Sequence, residues 1–170
     1  TDGNNDHECF YIDGTQLKTT AQFNYAGKYY YSIRVRVTDE YGLWADKSFH
    51  IYAIDITPPK VTIDVADDQT DPATESPVRF KVVFSEPIDG FAPEDIIVIS
   101  TAPGNLEISI DDHFSSGNYD RMNFDVYIRG MIGPGTITAS IPAGVVDDFY
   151  GDLPNLASTS TNNSINYVPT

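Results

Sequence analysis

The hexapeptide Asp55-Ile56-Thr57-Pro58-Pro59-Lys60 sets the strongest limit on how this chain can fold. Ahead of it, residues 48–54 alternate, with Phe49, Ile51 and Ala53 on one side and Ser48, His50 and Tyr52 on the other. Behind it, residues 60–65 alternate again, with Val61, Ile63 and Val65 on one face. Each period-two run predicts a half-buried strand. Two consecutive prolines withdraw two backbone donors, fix two φ angles and hold Thr57 extended, so no sheet ladder can pass through the segment. The expectation is two β domains, 1–56 and 57–170, joined by a short stiff junction rather than a floppy tether. A chain of 170 residues is long enough to bury a sizeable core.

Acidic residues outnumber basic ones 25 to 10, for a net charge of −15 and a pI near 4.2. A polyanion would be repelled, which argues against a nucleic-acid partner; calcium or plain solubility suits the charge better. No apolar run approaches the roughly 18 residues of a membrane span, and no basic-then-apolar signal opens the chain, so membrane insertion is not expected. The first residue is Thr rather than Met, as in a processed or excised piece of a longer polypeptide. A single cysteine, Cys9, allows no intrachain disulfide, which suits a module of a prokaryotic exterior, with a cytosolic β protein as the alternative.

Along the first domain, Asp2, Asn4 and Asp6 alternate in a Gly-containing loop ahead of Glu8. Alternating oxygen side chains can converge on a hard cation, although no helix flanks this loop; a solvated acidic loop is the other reading. Asp13-Gly14 between short apolar runs predicts a hairpin. The longest strand follows, Tyr29, Tyr31, Ile33, Val35 and Val37 alternating with Tyr30, Ser32, Arg34, Arg36 and Thr38, and Asp39-Glu40-Tyr41-Gly42 turns the chain toward Trp44. Trp44 and the tyrosines read as cross-strand packing, or as a sugar-binding platform.

Residues 10–20, 31–43 with their Arg-Val-Thr-Asp-x-x-Gly-Leu strand end, and 47–51 together resemble the second half of a cadherin-like repeat of the bacterial cell-surface type. The resemblance covers about residues 6–56 and implies a seven-stranded sandwich whose opening strands lie upstream of residue 1. It also implies calcium at the junction between repeats, with Asp39 and Asp55 at matching positions. Where the family carries a Glu-containing loop this chain has Asn24-Tyr25-Ala26, and where the family's linker continues with Asn and Asp it has Thr57-Pro58-Pro59. Without their opening strands, the apolar faces of 10–12, 29–37 and 49–53 would lie uncovered and strand edges unpaired.

The second domain alternates at Val78, Phe80, Val82 and Phe84 and at Met122, Phe124, Val126 and Ile128, with shorter strands expected at 95–99, 106–110, 135–141 and 164–168. Many short strands with regular turns suggest a sandwich. Residues 84–91, 135–144 and 157–161 closely resemble bacterial immunoglobulin-like repeats found in tandem in very large surface proteins, which implies a stalk or spacer. Asp147 and Asp152, with Asp148, Gly151 and Asn155 in the same loop and Glu86 able to approach from another, form a second candidate calcium site; a solvated turn is the alternative. By analogy with some bacterial immunoglobulin-like domains, Lys60 and Asn166 are candidates for a Lys–Asn isopeptide crosslink.

His7, His50 and His113 are scattered, and the sequence holds no nucleophile elbow and no phosphate loop; the expectation is a non-catalytic chain. The fold class expected is all-β: two tandem antiparallel sandwiches of Ig-like and cadherin-like Greek-key type, the first incomplete. The function expected is a structural or adhesive module of an extracellular prokaryotic surface protein, a stiff stalk or spacer stabilised by Ca2+. Its partners would be neighbouring repeats, other copies of the chain, or a cell-surface protein or glycan. The alternatives are a self-assembling fibre subunit completed by strand donation between chains and, third, a carbohydrate-binding module.

Overall fold

The structure, a computed structural model, describes residues 6–20, 23, 27–112, 120–149 and 153–170. It is all-β, built of antiparallel sheets with short 3-10 segments at His7–Cys9 and Pro93–Asp95, and divides into two compact units, Thr1–Asp55 and Ile56–Thr170.

The first unit has two two-stranded antiparallel sheets. Strands β1 (Phe10–Asp13) and β2 (Gln16–Thr19) form the Asp13-Gly14 hairpin, with Gly14 at φ +61°. Strands β3 (Tyr30–Thr38) and β4 (Trp44–Tyr52) pair over nine positions, from Tyr30 opposite Tyr52 to Thr38 opposite Trp44. Strand β4 starts four residues before the alternating run because Ala45, Asp46 and Lys47 carry no apolar alternation. They are held by the ladder, and Asp46 meets Arg36 at 3.3 Å and Arg34 at 3.7 Å. Phe10, Phe23 and Tyr31 cluster, with ring centroids 4.2–6.0 Å apart, and cover one end of the β3–β4 face. Tyr31 and Ile33 are buried there, whereas Val37 is 70% and Phe49 42% exposed on the same face. Among the described residues, 10–54 do not close into a sandwich.

The second unit comprises β5 (Val61–Val65), β6 (Val78–Phe84), β7 (Ile88–Asp89), β8 (Ile97–Ser100), β9 (Gly104–Asp111), β10 (Asn123–Met131), β11 (Gly135–Ser140), β12 (Asp147–Asp148) and β13 (Ser164–Tyr167). A four-stranded sheet of order β5-β6-β10-β9 and a three-stranded sheet of order β13-β11-β8 enclose one apolar core, an arrangement consistent with a β-sandwich. The alternation is the cause: Val78, Phe80, Val82 and Phe84 of β6 and Val126 and Ile128 of β10 are completely buried, Ile63 of β5 is buried beside them in the same sheet, and Ile137 and Ile165 join the core from the three-stranded sheet. The intervening positions pair charge across the solvent face, Asp64 opposite Lys81 and Lys81 opposite Asp125. The two-residue strands β7 and β12, paired as Asp89 to Asp147 and Ile88 to Asp148, are too short to show a period in the sequence.

The chain enters this unit through the diproline. Pro59 is buried and its carbonyl accepts the Leu156 N–H at 2.8 Å, while the Lys60 N–H bonds Ser85 Oγ at 3.0 Å. The two crosslink candidates, Lys60 and Asn166, have different neighbours. Lys60 lies ahead of β5 beside Ser85, whereas Asn166 bonds Asp71 and Thr136 beyond the other end of β5.

Candidate functional site

The acidic end of the second unit is built around one buried amide. Asn155 Oδ1 accepts the N–H groups of Val145 (2.9 Å) and Val146 (3.1 Å), and its Nδ2 donates to the carbonyls of Pro142 (2.9 Å) and Leu156 (2.8 Å). The amide thereby ties residues 142–146 to 155–156 on either side of β12. The Asp148 N–H bonds Leu153 O at 2.9 Å, and the Phe149 N–H bonds Pro87 O at 2.9 Å, which ties the loop to the segment carrying Glu86.

Period-two alternation through Val146, Asp147 and Asp148 turns Val146 and Asp148 inward and Asp147 out. Asp148 is 4% exposed, and one of its carboxylate oxygens lies within 4.8 Å of one from Glu86. A cleft of about 400 Å³ opens beside it, lined by Asp89, Gly90, Val145, Val146, Asp147 and Phe149 as well as Asp148. Two carboxylates this close, one of them buried, repel when both are ionised, and a hard cation or a shared proton relieves the repulsion.

Asp2, Asn4 and Asp152 lie outside the described residues. Asp6 accepts the Ser32 N–H at 2.8 Å and pairs with Lys28; the Lys28 bond first, and the Ser32 N–H second, hold its carboxyl below the usual carboxylate range. Asp39 closes the β3–β4 turn, its Oδ1 accepting the N–H groups of Tyr41 and Leu43, both at 2.9 Å. Asp55 ends the first unit, three residues past the opposite end of that hairpin. A nine-residue strand separates Asp39 from Asp55, on the order of 30 Å of extended chain, so no single ion takes both. Asp147 is exposed opposite Asp89. Glu86 and Asp148, not Asp147, make the close pair; the signal is the Val-Val-Asp-Asp alternation, which assigns the second Asp to the core side.

The aromatic candidates pack across strands. Tyr30 meets Tyr52 and His50 at tilted or edge-on angles, with centroids 5.4 and 5.3 Å apart, and the Arg36 guanidinium lies 4.0 Å over the Trp44 ring. Among the described residues no helix is long and apolar enough to cross a membrane. Comparison of the chain with family models, curated proteins and solved structures returns no match.

Proposed function

We propose that this chain is a non-catalytic, load-bearing spacer of an extracellular prokaryotic surface protein, a cadherin-like half repeat followed by an immunoglobulin-like one. The observation that carries this reading is the relation between the first and last segments of the second unit. Residues 159–162 run parallel to β5 and are bonded to it along its length. The Thr159 N–H meets Val61 O at 3.1 Å, the Val65 N–H meets Asn162 O at 2.7 Å, and the Ile63 N–H meets Ser160 Oγ at 2.6 Å. Asp64 Oδ1 adds the N–H groups of Thr161 and Asn162.

Tension entering at residue 56 and leaving at residue 170 pulls two parallel neighbours in opposite directions. Their bonds then carry the load together, in shear, instead of opening one at a time. The buried Pro59 passes the load directly into β5. Ca2+ at Glu86 and Asp148, beside Pro87 and the β5 entry, stiffens the same end. Stretching the whole chain between its ends tests the reading: the second unit should open in one event releasing about 400 Å of chain. Gradual lengthening of that unit at low force would count against it.

A fibre subunit is the second reading. The observation favouring it is the uncovered Val37 and Phe49 beside strands β3 and β4, which have each other as their sole ladder partner among the described strands.

A further inference from the structure

Of the chain's 25 acidic and 10 basic residues, 17 and 5 fall in the second unit, a balance of −12. That charge is spread unevenly between its two sheets. The four-stranded sheet carries Asp64, Arg79, Lys81, Glu107, Asp111, Asp125 and Arg129, whereas no residue of β8, β11 or β13 is charged. The outer face of the three-stranded sheet consists of isoleucine, hydroxyl and amide side chains. Thr138 Oγ1 lies 2.9 Å from Ser164 Oγ, and Thr136 Oγ1 donates to Asn166 Oδ1 at 3.3 Å. At its edge, β8 presents Ile97 at 49% and Ile99 at 67% exposure. Edge strands are ordinarily blunted by charge, proline or a bulge. Strand β8, Ile-Val-Ile-Ser, has none of these.

The backbone of β8 points the same way. The Thr101 N–H bonds Thr136 O at 2.9 Å, and this fixes the phase of the ladder between β8 and β11. Antiparallel pairs alternate between bonded and non-bonded, so Ile97 and Ile99 turn their N–H and C=O groups toward β11 while Val98 and Ser100 turn theirs to the open edge.

We propose that β8 is a self-association edge at which a second copy of the chain pairs antiparallel, joining two three-stranded sheets into one of six strands. The edge is self-complementary. With Val98 of one copy bonded to Val98 of the other, Ile97 stands opposite Ile99 on the solvent face, and each Ser100 N–H reaches the Ile96 carbonyl of the other copy. Side-chain parity and hydrogen-bond phase are satisfied by the same register. Charge selects the surface: two units of −12 repel everywhere except where this neutral sheet allows close approach. The contact is small, so it is weak for one pair of chains and gains by repetition along parallel spacers. It uses neither the first unit nor the acidic end, and stands or falls apart from the load-bearing role.

The test is sedimentation equilibrium of the full chain from micromolar to millimolar, at low and high sodium chloride, with amide exchange read at the same concentrations. The expected result is a monomer–dimer equilibrium that tightens with salt, as screening removes the repulsion between acidic units. Exchange should slow at Val98 and Ser100 as concentration rises. Ile99→Lys, at an exposed position where the fold is kept, should weaken the dimer at least about tenfold by placing a desolvated ammonium in the paired face, and Ile99→Thr should weaken it less. A chain monomeric at every concentration and salt overturns the proposal. So does a dimer indifferent to Ile99→Lys, or one abolished by Val37→Lys in the first unit.

Discussion

Gly104 and Gly130 face each other across β9 and β10 so closely that neither can carry a side chain. A Cβ on Gly104 would stand 2.0 Å from the Gly130 carbonyl oxygen, and one on Gly130 would stand 2.0 Å from the Asn105 carbonyl oxygen. Both residues have left-handed φ, +133° and +92°, where the ladder register shifts between Arg129 and Met131. Gly130→Ala should therefore lower the stability of the second unit by on the order of 3 kcal/mol, read by urea denaturation. A loss below about 0.5 kcal/mol, the usual surface value, would mean that the bulge relaxes freely.

Asn155 makes four side-chain bonds at 2% exposure. Asn155→Ala strands two N–H groups and two carbonyls, at an expected total of about 3–5 kcal/mol. Asn155→Asp keeps the acceptor but cannot donate to Pro142 and Leu156, and should also destabilise. If Asn155→Asp melts with the parent, the amide donors are not what holds the loop.

Asp6 and Lys28 make the first unit sensitive to acid. Asp6 is held low by Lys28 and then by the Ser32 N–H, so its stabilising effect is present above its unfolded pKa and lost as pH falls through the lower folded value. Lys28 is raised, chiefly by Asp6, so its effect is present below its unfolded pKa and lost only as pH rises through a still more alkaline folded value. Between those limits the contribution is flat. Melting followed by fluorescence of the single tryptophan, Trp44, should put Asp6→Asn below the parent at neutral pH, with the gap closing in acid. A gap that persists unchanged in acid would assign the effect to shape rather than charge.

The proposed calcium binding at Glu86 and Asp148 would have a thermodynamic signature. An ion that binds the folded unit alone, at a hundred times its Kd, adds about 2.7 kcal/mol, a rise of several degrees in Tm. Glu86→Gln with Asp148→Asn should remove the calcium dependence. Identical melting of the parent in calcium and in chelator would sink the site.

Much of this fold could be read from alternation. The sequence positions Val78 to Phe84 and Phe124 to Ile128 predict the faces that the structure buries, and Asp13-Gly14 predicts its hairpin. Strand β4 was legible only from Ser48 on, because Ala45, Asp46 and Lys47 are held by cross-strand ladder and ion pairs, which leave no hydrophobic period. The acidic end was half legible: the Asp147-Asp148 loop stood out by composition, but its inward member emerges only by carrying the alternation through Val146. The parallel run of 159–162 on β5 was not legible at all, since nearly a hundred residues separate Asp64 from Thr161 and Asn162, the partners its carboxylate binds.

The load-bearing claim is tested most directly by changing the direction of pull. With Cys9 replaced by Ser, one molecule is stretched between residues 1 and 170, and a second, carrying Ala157→Cys, between residue 1 and position 157. The first geometry shears β5 against 159–162, so the bonds at Val61, Ile63, Asp64 and Val65 resist together. The second loads the pair from one end, and they part in sequence. The account predicts a clearly higher unfolding force for the second unit in the end-to-end pull, with Asp64→Ala lowering it there and changing little in the other. Equal forces in the two directions, or an Asp64→Ala effect that ignores direction, would contradict it.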